Sequence, residues 1–479
     1  MLNGAIYIRR ELLIRLVRAF DDGTLREELD RIPVKLRPKD LPSSRCCIYH
    51  DRAVLKYRLM ALLGVMPEEE TDETKTLAAY FDDMVARIGA TLDATAVPAE
   101  EPPVAQPPLS VCGCACSSCP DAKIVSTPNC RGCFSRPCTF TCPKKAITVV
   151  NGQSVIDAAK CIKCGKCIAA CPYHAIVRTT VPCEDACPVN AIRKNEEGVA
   201  EIDFTKCIYC GKCFNACPFS AVMERSQLLE VLMAMKRGVK LVALVAPAAD
   251  RQFPGKIEQL LAACVKAGFS DVLEVALGAE RTTEHETKEF IERMAADPKA
   301  LMTTSCCPAY VNLVKKHLPS FLPHVSTTPS PMVYAKGLAR EKHPDAKTVF
   351  IGPCVAKRGE AVEKGVDYVL SFEELGAIFA GRKIDVMACD PWPTPRPAAV
   401  TARNFARSCG VTEAVLDEAT TKIPGFKLCS KQISGIDKKT IALLKVYGMG
   451  KLPENFIEVM ACPGGCVNEI GRASCRERV

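Results

Sequence analysis

Two stretches of the chain space cysteines as C-x2-C-x2-C-x3-C-P: Cys161, Cys164, Cys167 and Cys171 before Pro172, and Cys207, Cys210, Cys213 and Cys217 before Pro218. Thiolates at this interval wrap a loop around one 4Fe-4S cubane while the fourth Cys swings out to another cluster, which is why the spacing is so restricted. Cys130, Cys133, Cys138 and Cys142, before Pro143, make a looser run with four residues between the second and third Cys. Cys183 and Cys187, before Pro188, read as the closing half of one more run. CxxC pairs also build zinc sites, but the Cys-Pro endings and the fourth-Cys exchange favour iron-sulfur. The fourteen Cys from 130 to 217 suffice for three clusters with two left over. Cys112, Cys114, Cys116 and Cys119 would raise the number to four, and are left open between cluster, zinc and free thiols. Cys46 and Cys47 are expected to be buried thiols.

Three further phrases carry cysteines: T-S-C-C-P-A-Y (304–310), G-P-C-V-A-K (352–357) and M-A-C-P-G-G-C (460–466). Each follows a strand-like apolar run, and loops at the carboxyl ends of strands are where open α/β sheets gather ligands. Cys307, Cys354, Cys462 and Cys466 would make another four-thiolate site, collected from three distant loops and shielded between two lobes.

The elements that must position these groups are legible as patterns. Residues 1–95 carry helical periodicity, as in Ala53, Leu55, Leu59, Leu62 and Leu63, and have no assigned role. Residues 96–110 are a Pro-rich linker. Residues 111–225 crowd cysteines between short β-like phrases at 146–150 and 200–204, a ferredoxin-like α+β multi-cluster domain. In 226–470 the strand-like runs 240–245, 272–277, 347–351 and 456–461 alternate with helices, an α/β domain whose two lobes would lie around the four-thiolate site. The stretch 471–479 lacks a core pattern and reads as a non-native tail, so Cys475 is left out of the ligand sets.

Thirty cysteines in 479 residues would suit a disulfide scaffold only in a small secreted domain. The first twenty residues interleave Arg9, Arg10, Arg15 and Arg18 with apolar residues, an amphipathic helix and not the unbroken apolar run of a secretory leader. The longest apolar segment, 239–249, falls short of the roughly 20 residues of a membrane span. A reducing, cytoplasmic protein with no membrane partner is expected. The formal charge of +8 does not argue for nucleic acid, because cluster thiolates add negative charge and Lys163, Lys166, Lys206 and Lys212 sit inside the cluster motifs, placed to balance it.

These three phrases, with the order and spacing of the cluster runs over about 130–470, resemble the iron-iron hydrogenases. R-C-C-I-Y-H (45–50) and Gly352 most resemble the monomeric group B branch, since group A enzymes have Met at the latter position. The resemblance implies an H-cluster: a cubane on Cys307, Cys354 and Cys462, with Cys466 bridging to a two-iron unit that carries CO, cyanide and a dithiolate amine. It also implies that Cys306 donates protons to the amine, a task suited to a thiol of reference pKa near 8.5. Glu286, Glu289 and Ser326 would form the path from solvent, the two Glu on one helix face. Lys357 would donate to a cyanide, while Ala246, Pro247 and Met460 would line the two-iron pocket. Ferredoxin or a similar carrier, H2, protons and maturation proteins are the implied partners.

Three readings follow: a reversible ferredoxin hydrogenase, a non-catalytic relative such as an iron-sulfur assembly factor or hydrogen sensor, and a plain electron carrier. A cubane alone needs none of Cys306, Lys357, Glu286 or Glu289, which favours the first.

Overall fold

The computed structural model describes residues 4–93, 106–116, 119, 123–250, 252–394, 396–423, 425–426, 428–450 and 453–468. The expectations for 96–105 and for the tail with Cys475 lie outside the described residues.

Helices Gly4–Asp21, Ile48–Leu62 and Leu77–Asp93 realise the amino-terminal periodicity. Their buried Leu12, Leu16, Leu59 and Met84 belong to the same apolar core as Leu244, Phe372 and Leu375 of the α/β region. Arg9 and Arg10 pair with the buried carboxylate of Glu373, and Arg382 pairs with Asp21 at 2.7 Å. This region is therefore a brace on the β9-containing sheet of the α/β region. Cys46 and Cys47 are exposed, contrary to the expectation of buried thiols, because they form the loop that caps Ile48–Leu62 outside its packed face. Cys46 Sγ lies 3.1 Å from Nδ1 of His50.

The cysteine-rich region is a set of short strands: β1 (Leu109–Val111), β2 (Lys123–Ser126), β3 (Ile147–Val150), β4 (Gln153–Ile156), β5 (Ile176–Thr179), β6 (Ile192–Lys194), β7 (Ala200–Ile202) and β8 (Val222–Glu224). They pair antiparallel as β2 with β5, β3 with β4, β6 with β7 and β1 with β8. Each Cys-Pro phrase turns through a residue of positive φ, namely Lys145, His174, Asn190 and Ser220, which lets the chain double back under its thiol. Ribbons this small bury little apolar surface, and side chains packed around the thiols supply much of the core.

The remainder holds two parallel sheets built from β9 (Leu241–Val245), β10 (Asp271–Glu274), β11 (Met302–Thr303), β12 (Lys347–Ile351), β13 (Tyr368–Leu370), β14 (Ser430–Ser434) and β15 (Phe456–Met460). Their orders are β10-β9-β12-β13 and β11-β15-β14. β9 is apolar and buried at every position, as a parallel strand covered on both faces requires. The run 272–277 divides: it is strand only to Glu274, and Val275 opens the helix Val275–Ala296. A short apolar run does not distinguish a buried strand from the start of a buried helix.

Candidate active site

The carboxyl ends of β9, β11, β12 and β15 deliver their loops to one cavity of about 90 Å³. Its wall includes Ala246 and Pro247 after β9, Cys306 and Cys307 after β11, Pro353, Cys354 and Lys357 after β12, and Met460, Cys462 and Cys466 at the end of β15. Pro308 then opens the helix Pro308–His317, at a position where its missing N–H costs no bond. At Gly352 a Cβ would meet the Phe350 ring at 2.7 Å and the Ala246 Cβ at 3.2 Å. Phe350 fills the space that a side chain at 352 would enter. Apart from thiols, the Tyr209 side chain and one ammonium the wall is apolar.

Glu286 is fully buried on the helix Val275–Ala296, and neither of its oxygens has a hydrogen bond of good geometry. Burial, then the charge of Glu289, pushes it up to about 8, against weaker lowering by the neighbouring Ser305 backbone and Ser326 side chain. Glu289 is the opposite case. Its burial disfavours the charged form, yet donors surround it and hold it below the usual carboxylate range. Ser326 Oγ donates at 2.7 Å, Arg293 Nη2 at 2.6 Å, and the Thr327 N–H and Thr328 hydroxyl at 3.0 Å. Burial and then the charge of Glu286 keep the Cys306 thiol protonated well above its ordinary pKa. Glu289, Ser326, Glu286 and Cys306 thus form a series that runs from a partly exposed carboxylate to the cavity wall.

Lys357 is buried and donates to Glu360 Oε2 at 2.6 Å and to Ser330 Oγ at 3.0 Å, while Ser330 donates to Glu360 Oε1 at 2.5 Å. Burial works against the ammonium, but Glu360 outweighs it and raises the pKa. Glu360 is a site neighbour that the sequence reading missed, although its i,i+3 spacing from Lys357 was the available signal.

The accessory thiols group across runs. Cys130, Cys133 and Cys138 share one small cavity with Cys171 of the next run, and Cys161, Cys164 and Cys167 share another with Cys142. Cys213 has Cys210, Cys207, Cys187 and Cys183 as charged neighbours, the fourth-Cys exchange again. Among the described residues no three Cys, His, Asp or Glu converge as a single ion would require; a cubane spreads its thiolates over separate irons. Of the lysines expected to balance cluster charge, Lys206 pairs with Asp203 at 2.5 Å and Lys212 donates to the Ile436 carbonyl. Tyr209 and Cys210 reach the cavity at the ends of β9, β11, β12 and β15.

Among the described residues no helix is long and apolar enough to cross a membrane. The chain matches family models described as the iron only hydrogenase large subunit, C-terminal domain (239–469), the 4Fe-4S dicluster domain (178–221) and a 4Fe-4S binding domain (154–176). It is 32% identical over 371 residues to the periplasmic Fe hydrogenase large subunit of Nitratidesulfovibrio vulgaris, covering 65% of this chain and 84% of that protein. It is 27% identical over 393 residues to iron hydrogenase 1 of Clostridium pasteurianum, covering 69% and 67%. A probable cytosolic Fe-S cluster assembly factor of Aedes aegypti is 25% identical over 256 residues, 42% of this chain and 54% of that one. Similarity of this extent over most of a relative's length, with the cysteine-lined cavity and the cluster runs in place, puts the chain in the iron-only hydrogenase family.

Proposed function

We propose that the protein is a catalytic hydrogenase that interconverts protons and H2, with electrons from a low-potential carrier such as ferredoxin, in the cytoplasm. The observation that carries this is Glu286, a wholly buried carboxyl without a well-formed hydrogen bond, between Ser326 and a thiol on the cavity wall. An orphaned buried carboxyl costs stability, and a proton path to the cavity is a reason for its presence.

The cavity fits the family's cofactor: four soft thiols from three loops, an apolar wall and one buried ammonium. Cys307, Cys354, Cys462 and Cys466 would hold its cubane, with Cys466 shared by a two-iron unit bearing CO, cyanide and a bridging dithiolate that maturation proteins supply. When bound, that group supplies the iron chemistry by which protons and electrons combine. The chain's own residues manage the protons. Glu289 meets solvent, Ser326 bridges the two carboxyls, Glu286 holds a proton at neutral pH, and Cys306 is the last protein donor. Lys357, fixed by Glu360 and Ser330, presents positive charge to anionic ligands, while Ala246, Pro247 and Met460 exclude water.

Electrons enter at the module of β2 to β5. Within 123–179 nine Lys and Arg stand against one acidic residue, Asp157, and the large apolar side chains of Phe134, Phe140, Ile162 and Tyr173 are exposed beside its cysteines. A basic face with apolar anchors suits an acidic carrier. The assembly-factor relatives favour a second reading, a non-catalytic cluster protein, in which the buried carboxyl has no task. Hydrogen evolution from a reduced dye by anoxically matured protein decides between them: turnover is expected, and its absence with the cofactor loaded favours the second.

A further inference from the structure

The inner module, β2 to β5, has a simple order: strand, cysteine run, ribbon β3-β4, cysteine run, strand. The first and last strands pair, Lys123 opposite Thr179 through Ser126 opposite Ile176. Its first thiol, Cys130, accepts from the Ser154 N–H in β4 at 3.5 Å, and the fourth of that run, Cys142, accepts from the Ala146 N–H at 3.3 Å.

The outer module repeats this order. β1 pairs with β8, Leu109 opposite Glu224 through Val111 opposite Val222, around the ribbon β6-β7. Cys187 and Cys217 accept from the N–H of Ala191 at 3.2 Å and Ala221 at 3.3 Å. Cys116 accepts from the Ala200 N–H, at the start of β7, at 3.1 Å. It therefore stands to β7 as Cys130 stands to β4. The outer module's first run is then Cys116, Cys119, Cys183 and Cys187, and the entire inner module lies between its second and third cysteines.

We propose that Cys116, Cys119, Cys183 and Cys217 hold a further 4Fe-4S cluster, in a run interrupted by the inserted module 123–179. The exchange seen in the inner module, where Cys171 joins Cys130, Cys133 and Cys138, is the one that brings Cys217 to the other three. Cys116, Cys183 and Cys217 are buried and share one core, against which Cys119 packs. Cys217 and Cys116 are neighbours of both Cys183 and Cys119. The N–H donors at Cys116 and Cys217 favour the thiolate form that iron binds. The two cysteines left over from the ligand count, Cys183 and Cys217, gain partners. Cys112 and Cys114 stay outside this set, with their Sγ atoms 3.2 Å apart.

This rests on the iron-sulfur reading of the runs, and is independent of hydrogen chemistry. The test is iron, zinc and acid-labile sulfide analysis with Mössbauer spectra of the full chain, reconstituted anoxically with iron and sulfide. Wild type should hold iron for five cubanes: two in the inner module, two in the outer and one at the catalytic loops. Cys116→Ser with Cys119→Ser should lose four irons and four sulfides per chain, and Cys112→Ser with Cys114→Ser none. Full iron in the first double variant, or zinc lost in its place, overturns the proposal. If that variant fails to fold, wild-type iron sufficient for only four cubanes overturns it equally. Cys161→Ser with Cys164→Ser is the control for the underlying reading: unchanged iron there means that the inner run itself binds no cluster.

Discussion

Glu286 can be tested at the level of a single side chain because its environment makes two separate demands. Its carboxyl titrates near 8 when folded and near the ordinary 4.5 when unfolded. Between these values the folded state holds a proton that the unfolded state has lost, so stability falls as pH rises, by about 1.4 kcal/mol per unit at most. Glu286→Gln removes that slope. Thermal unfolding from pH 5 to 8 should show the variant gaining on wild type as pH increases; parallel curves would contradict the buried, protonated state. The same variant should lose roughly two or more orders of magnitude in turnover, the usual worth of a positioned acid or base, measured as H2 evolution from a reduced dye. Cys306→Ser should lose most turnover while its iron content stays intact, and lost iron would reassign that residue as a ligand. At this scale the sequence was informative wherever ligand spacing is local. The cysteine runs were legible because a loop around a cubane fixes its own intervals. Glu360 was not, since a carboxylate three residues from a lysine is ordinary on any helix face.

The helix Val275–Ala296 carries both Glu286 and Glu289, and its position depends on Gly278. A Cβ there would meet the Pro331 carbonyl oxygen at 2.2 Å and the Ala335 nitrogen at 2.8 Å. The helix Pro331–Lys342 is held that close by the missing side chain. Gly278→Ala should cost about 1–3 kcal/mol, as overpacking does, seen as a lower midpoint in denaturant, and should slow turnover by moving Glu286 and Glu289 relative to Ser326. Unchanged stability would mean that the two helices have room. The element pattern was readable where strands are long and buried, as in β9, β12 and β15. It blurred at 272–277, where strand and helix adjoin without a polar break. It was silent on the pairing of β1 with β8, whose partners lie more than a hundred residues apart.

Across the whole molecule, charge and support are unevenly distributed. The amino-terminal helices share a core with the sheet β10-β9-β12-β13 and fix Glu373 through Arg9 and Arg10, beside Glu374, which holds Arg358 at 2.9 Å next to the Cys354 loop. No local pattern in residues 1–95 announces that tertiary role, which is why their periodicity gave helices and nothing of their purpose. The basic inner module of β2 to β5 is the proposed entry point for electrons. Lys144→Glu with Lys145→Glu, both exposed, should raise the KM for an acidic carrier several-fold, with the difference shrinking at high salt; steady-state assays over ionic strength measure it, and an unchanged KM would place electron entry elsewhere.

The cavity at the ends of β9, β11, β12 and β15 is the proposed seat of a hydrogen-evolving iron site. Infrared spectra of anoxically matured protein test it most directly. Bands of iron-bound CO and cyanide, shifting when H2 replaces an inert atmosphere, are predicted; their absence after maturation that loads a known hydrogenase in parallel would contradict it.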